Sequence, residues 1–366
     1  MDSKKYFADW YDAIGFLEQR PDRPQILDGA PIPMLQKHLV QAIKNQRADD
    51  TMDYRHIFIA MCIVVALDEC FPYADVYLKF LKDNEKDAVA AIDYQLALAV
   101  QKNAVEEIYL FARAKECIRN TTEAKLETTY AMEGIYNKHW DGGIDLSDLL
   151  KEIMDRYEGI IEKEPDSAEA YSALGRIYEA QGLYIKAKFH DEKALALAKD
   201  DLLKDRLRQA IDRLNEPAAI DGAKTYLHYG KYDEAIQMIQ TVQSKEMAPD
   251  VCAHILGMAY YGLGEYEKAV FYLQEAASHG TDGEIENNLA IALAAADRTD
   301  EAIDILSDLL LREEDNRTAY MNRGILYYRR EEFKRALCDF ESAYRLGSDP
   351  ELWALIEQTK ERADNM

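Results

Sequence analysis

Proline and glycine are scarce in this chain, 9 and 17 of 366 residues. A β-rich or disordered protein uses more of both, so the shortage speaks against those classes. Cysteine is equally sparse. Cys62, Cys70, Cys117, Cys252 and Cys338 are scattered, odd in number and never arranged as CxxC, which argues against a zinc site or a disulfide framework. They read as buried, reduced thiols of a cytosolic protein. Long hydrophobic runs are missing too. The most apolar stretch, Ile57 to Leu67, falls well short of the roughly 20 residues that a membrane span needs. The N-terminus mixes charges with aromatics and lacks the apolar core of a secretory signal. A cytoplasmic chain without membrane contact is the expectation. Basic charge is in deficit: 44 Lys and Arg stand against 68 Asp and Glu, a formal net charge of −24. Such a field repels phosphate backbones and leaves nucleic acid out of the expected partners. There is no GxxxxGK[ST], GxGxxG after a strand, HExxH or GxSxG, and the seven histidines are dispersed. No enzyme, cofactor or metal is therefore expected.

What the chain does have is helix-forming material. Hydrophobic residues make up 48% and charged residues 31%, and Ala, Leu, Glu, Lys and Arg dominate. Residues 4–19 carry Phe7, Trp10, Tyr11, Ile14 and Leu17 at three- and four-residue spacing, which predicts one helix with a single apolar stripe. Pro21, Pro24, Pro31 and Pro33 then predict an extended stretch. From Met34 to Lys138 the pattern is helix after helix, broken at Asp49-Asp50, Pro72, Asp83-Asn84, Asn103 and Asn120-Thr121. No alternating strand pattern is evident.

The second half repeats itself. Four segments align: Ala170-Tyr171 to Leu174-Gly175 and Tyr178, His254 to Leu256-Gly257 and Tyr260, Asn288-Leu289-Ala290 to Leu293, and Tyr320 to Gly324 and Tyr327. Twelve residues after the small residue of each comes an alanine: Ala187, Ala269, Ala302 and Ala336. A fifth copy holds Ala223, Tyr226 and Ala235. The small residues Ala223, Gly257, Ala290 and Gly324 are 34, 33 and 34 residues apart, a period that marks stacked helical hairpins.

This pattern resembles the tetratricopeptide repeat family over roughly residues 165–350, with Ile153, Tyr157, Ile160 and Pro165 as a weaker pair upstream. The resemblance implies an all-α fold, an α-solenoid of helical hairpins. Gly or Ala at the eighth and twentieth positions lets helices A and B approach closely, and the Tyr and Leu positions fill the space between repeats. Residues 1–120 are expected to form a helical N-terminal unit, 121–164 a divergent helical pair, 165–350 the repeats and 351–366 a capping helix. An insertion at residues 202–215, with the stripe Leu203, Leu207, Ile211 and Leu214, predicts an extended helix B or an extra helix.

In this family helix A lines a concave groove through positions 2, 5, 9, 12 and 13. Carried onto this sequence, the resemblance implies basic early positions, Arg176, Lys224 and His228. Later positions are apolar and aromatic: His254, Met258, Tyr261, Ile291, Met321, Ile325 and Tyr328, with Arg329 at the rim. Asn288 and Asn322 share the sixth position, where related repeats use asparagine to bind a peptide backbone. An amide can give and accept a hydrogen bond, so it reads main chain. Alternatively, both amides bond neighbouring elements. The carboxylate clamp of cochaperones is not matched; only Asn288 fits it. The segment Asn137 to Leu149 resembles part of a calcium loop, but Asn137, His139 and Asp148 are poor substitutes for its ligands. A glycine turn followed by an Asp or Ser cap is the simpler reading.

These residues point to a non-catalytic adaptor that binds a protein or peptide in its groove. The alternative is a peptide-responsive regulator in which groove binding repositions the N-terminal unit.

Overall fold

The helix-rich composition is realised almost throughout. The computed structural model describes residues 7–22, 25, 27–36, 40, 54–68, 70–139, 145–242, 248–280 and 282–364. Its elements are α1 (Ala8–Asp12), β1 (Ile14–Leu17), β2 (Ile32–Leu35), α2 (Tyr54–Leu67), α3 (Ala74–Asp83), α4 (Glu85–Gln101), α5 (Val105–Arg119) and α6 (Thr122–His139). They continue as α7 (Ser147–Lys163), α8 (Ala168–Ala180), α9 (Tyr184–Leu197), α10 (Asp201–His228), α11 (Tyr232–Gln240) and α12 (Pro249–Gly262). The last are α13 (Tyr266–Ser278), α14 (Gly283–Ala295), α15 (Thr299–Arg312), α16 (Arg317–Arg329), α17 (Phe333–Leu346) and α18 (Pro350–Asp364). Contacts divide the chain into one unit of Met1–Ile177 with His190–Leu207 and another of Tyr178–Phe189 with Arg208–Met366.

The N-terminal unit is built around α2, whose residues from Ile57 to Leu67 are all buried, as befits a helix that is apolar on every side. Helices α4 and α5 pack together, then α5 on α6 and α6 on α7. The buried charges Glu116 and Lys115 are both paired. Buried Glu116 takes Arg156 at 2.5 Å and Arg113 at 3.1 Å, and Lys115 meets Asp93 at 3.1 Å and Glu127 at 2.9 Å.

The stripe at the N-terminus is not one helix. The helix ends at Asp12, and Ile14–Leu17 pairs antiparallel with Ile32–Leu35, Ile14 opposite Leu35 and Leu17 opposite Ile32. Gly15 weakens a helix at this point, and Pro31 and Pro33 hold the partner extended. Tertiary contacts settle the choice: Phe16 stacks on Phe71 at 5.3 Å, and the Tyr77 hydroxyl donates to the Pro31 carbonyl at 2.7 Å. The thiols also depart from expectation, since Cys70 and Cys338 are exposed.

The C-terminal unit repeats one motif. Helix α12 packs on α13, α14 on α15 and α16 on α17, and each second helix packs on the next first helix. The small residues explain the closeness. A Cβ on Gly257 would lie 2.5 Å from Leu273 Cγ, and one on Gly324 would lie 2.6 Å from Phe340 Cε1. Ala223, Ala235, Ala269, Ala290, Ala302 and Ala336 are all fully buried. Helix α18 covers the end, placing Leu352 and Ile356 on Phe340 and Ala343.

The insertion neither extends helix B nor forms a separate helix. Helix α9 stops at Leu197, and Asp200 caps a new start by accepting from the Leu203 amide at 2.9 Å. From there α10 runs 28 residues, through Pro217, into the Ala223 position of the next repeat. The insertion is thus an N-terminal extension of helix A. Among the described residues, no helix is long and apolar enough to cross a membrane.

Candidate functional site

Helices α12, α14 and α16 are the first helices of three successive hairpins, and neighbours among them touch directly. Side chains at equivalent turns therefore meet across the repeat boundary. The asparagines do this. Asn288 Nδ2 on α14 lies 2.9 Å from His254 Nε2 on α12, an arrangement in which the amide donates to a neutral imidazole protonated at Nδ1. Asn322 Nδ2 on α16 donates to Asn287 Oδ1 on α14 at 3.0 Å. Asn287 itself is buried and donates to the Gly283 carbonyl at 2.8 Å. Each sixth-position amide is thus tied to the fifth-position side chain of the preceding repeat. One N–H is engaged in each amide. Among the described residues, neither Asn288 nor Asn322 has a donor bonded to its side-chain carbonyl.

Burial holds His254 below its ordinary value of 6.5, and nearby Lys224 adds to the effect. Glu284, Asp282 and Asp250 pull the other way. The neutral form that accepts from Asn288 is therefore the one the site favours.

The aromatic positions form a second set. Tyr261 contacts Tyr266, the first residue of α13, with ring centroids 5.6 Å apart. Tyr328 contacts Phe333, the first residue of α17, edge-on at 5.3 Å, and the Arg362 guanidinium lies 5.8 Å from its ring. Met258, Ile291 and Ile325 on the same helices are half-buried. Lys224 and Arg329 are exposed and have no ion pair among the described residues.

Arg176 stands apart from this set. It lies in the N-terminal unit on α8, where its Nη2 donates to Glu133 Oε2 at 3.2 Å and its guanidinium lies 6.0 Å from the Tyr130 ring. The Tyr157 hydroxyl donates to the other oxygen of Glu133, and burial raises the pKa of that phenol.

Two residues that reasoning from sequence passed over matter here. Asn287 supplies the acceptor for Asn322; two adjacent asparagines inside a helix, each a poor helix former, were the available signal. Arg323 occupies the seventh position, where Leu174, Leu256 and Leu289 stand in other repeats. Its Nε and Nη2 each donate to Asp339 at 2.8 Å, and its Nη1 donates to Ser307 at 3.0 Å. The Asp339 carboxylate is buried, so this fork joins α15, α16 and α17.

Residues 140–144 of the calcium-loop-like segment lie outside the described residues. At its end, Asp145 Oδ1 accepts from the Ser147 amide at 3.0 Å, but Leu146 is the N-cap of α7 and no side chain caps the helix, so the expected Asp or Ser cap is not formed. Among the described residues, no cluster of three His, Cys, Asp or Glu side chains is placed to hold a metal.

Stacked helical hairpins with small residues at their crossings define a helical-repeat protein. The sequence profile of the tetratricopeptide repeat family matches residues 287–351. Over 155 residues the chain is 25% identical to TPR repeat-containing protein YpiA of Bacillus subtilis (strain 168), covering 42% of this chain and 33% of that protein. Over 90 residues it is 33% identical to the tetratricopeptide repeat protein 36 homolog of Drosophila melanogaster, covering 23% of this chain and 49% of that one. The chain thus spans under half the length of these curated relatives. Among solved structures it is similar to YrrB, described as a TPR protein with an unusual peptide-binding site. That likeness has 20% identity and a TM-score of 0.38, and covers 55% of this chain and 97% of that one. Residues 287–351 are tetratricopeptide repeats, and repeats of this family serve in general as scaffolds for protein–protein interaction.

Proposed function

We propose that this protein is a non-catalytic adaptor that holds an extended peptide, or an extended segment of a protein, along the face formed by α12, α14 and α16. The observation that carries this reading is the pair of amides at Asn288 and Asn322. Each is fixed in orientation by a bond to the preceding repeat, and each keeps a carbonyl oxygen and a second N–H for another partner. An extended strand offers N–H and C=O groups in alternation, which is the complement such amides need. Half-buried Met258, Ile291 and Ile325 and the rings of Tyr261 and Tyr328 supply the apolar contact beside them. Lys224 and Arg329 provide positive charge in a protein of strongly negative net charge, which favours carboxylates in the ligand.

Selection of peptides from a displayed library on the full chain tests the reading. The peptides obtained are then measured against a variant carrying Asn288→Ala, Asn322→Ala and Tyr261→Ala. The expected result is a loss of affinity of about tenfold or more, equivalent to one or two hydrogen bonds and a ring contact, with the helical circular dichroism kept. Equal affinity for the variant would contradict the assignment.

A further inference from the structure

The two polar ties between repeats differ in their acceptors. Asn322 donates to Asn287 Oδ1 at 3.0 Å, and Asn287 is itself fastened to the Gly283 carbonyl. Neither amide titrates, so that tie does not respond to pH. Asn288 instead places its Nδ2 2.9 Å from His254 Nε2, and an imidazole changes its role when it takes up a proton. Both residues are half-buried.

Neutral His254 offers a lone pair at Nε2 and accepts from Asn288. Protonated His254 carries a hydrogen there, and two donors then face each other. Half a turn of the amide about its Cβ–Cγ bond removes the conflict, because Oδ1 comes to stand where Nδ2 stood. The bond that forms, from imidazolium to carbonyl, is charge-assisted and stronger than the one it replaces. Among the described residues, His254 is the one group bonded to the Asn288 side chain, so the turn breaks no other tie. Burial opposes charge on His254, and Lys224 on α10 adds to that opposition. Glu284 and Asp282 at the start of α14 and Asp250 on α12 favour the charge. Toward α11 and α13, α12 turns the apolar residues Cys252, Ile255 and Gly257.

We propose that His254 and Asn288 form a proton-operated switch on the groove face. With His254 neutral, Asn288 offers its carbonyl oxygen to the groove; with His254 protonated, the amide turns over and offers N–H in its place. The consequence for a ligand rests on the groove reading above. A backbone N–H that pairs with Asn288 at neutral pH meets another donor in acid, while Asn322 is unaffected. The folded pKa of His254 lies below 6.5, so the change falls on the acid side of that value.

Nitrogen NMR of the full chain without ligand, followed between about pH 8 and pH 5, tests the switch itself. At the upper end, His254 Nε2 should be unprotonated and coupled through the hydrogen bond to Asn288 Nδ2. In step with the titration of His254, that coupling should vanish and the Asn288 amide signals should shift, while those of Asn322 hold still. A proton on Nε2 at the upper end, or Asn288 signals that ignore the titration, would overturn the proposal. The binding test uses one peptide selected on the full chain at neutral pH, titrated against wild type and against His254→Gln, whose amide accepts from Asn288 at any pH. Wild type is expected to lose about fivefold more affinity than the variant between the two ends. Titration within the peptide is common to both proteins, and circular dichroism verifies the fold at each pH. An equal response in both proteins would overturn control of binding by the switch. Failure of the groove reading itself looks different: at neutral pH the peptide would bind equally to the variant carrying Asn288→Ala, Asn322→Ala and Tyr261→Ala.

Discussion

Asparagine and arginine inside a repeat helix are residues whose use outweighs their helix propensity. Asn287, Asn288 and Asn322 fasten one repeat to the next, and Arg323 does the same through Ser307 and Asp339. Arg323→Leu restores the residue type that Leu256 and Leu289 supply elsewhere, yet it strands a buried carboxylate. We expect it to destabilise the chain by about 3 kcal/mol in denaturant unfolding, and the double variant with Asp339→Leu to recover most of that loss. An equally unstable double variant would show that packing, not the stranded charge, sets the penalty. His254 contributes to the pH dependence. Its folded pKa lies below its ordinary value of 6.5, so its contribution is fully present above that value. The contribution is lost as pH falls through the lowered folded pKa, because the unfolded chain binds the proton first. Unfolding between about pH 8 and pH 5 should show a shallower acid loss for His254→Gln, whose amide oxygen can still accept from Asn288. An unchanged slope would remove His254 from this role. Asn288 and Asn322 were legible in sequence as a repeated position. Their partners His254 and Asn287 were not legible as partners, because a period shows equivalence of position and not which side chain meets which across a boundary.

At the scale of elements, the repeats were legible because their chemistry is local and periodic. A small residue is needed wherever two helices cross closely, and Gly257 against Leu273 and Gly324 against Phe340 show why. The pair β1–β2 was not legible. Four residues are too few to display an alternation, and the residues that decide it, Pro31, Phe71 and Tyr77, lie far from Ile14 in sequence. The fate of the insertion was equally hidden. An amphipathic stripe shows that residues 202–215 are helical without showing which neighbour they join, and the Asp200 cap and the unbroken run through Pro217 decide it. Pro217 lacks the N–H that would bond the Arg213 carbonyl, a defect of up to about 3 kcal/mol in a helix interior. Pro217→Ala should therefore raise the thermal midpoint. A fall would show that a bend at this proline is part of how α10 meets α11.

At the scale of the whole molecule, the C-terminal unit is a row of hairpins in which each contacts its neighbours, ended by α18. Stability in such a row is a sum of repeats and the interfaces between them. The polar ties at His254–Asn288 and Asn287–Asn322 lie on those interfaces, so in the proposed function the elements that join the repeats are also the ones offered to a ligand. Recognition under that proposal is tied to main chain more than to side chains. A selected peptide should therefore tolerate side-chain replacement at most positions yet lose affinity on methylation of particular backbone nitrogens. The decisive measurement is a backbone N-methyl scan of one such peptide, titrated calorimetrically against the full chain and against the Asn288→Ala, Asn322→Ala double variant. The account predicts that methylation at one or two alternate residues lowers affinity about tenfold with the wild type and has little further effect with the double variant. Uniform tolerance of methylation, or equal losses in both proteins, would contradict it.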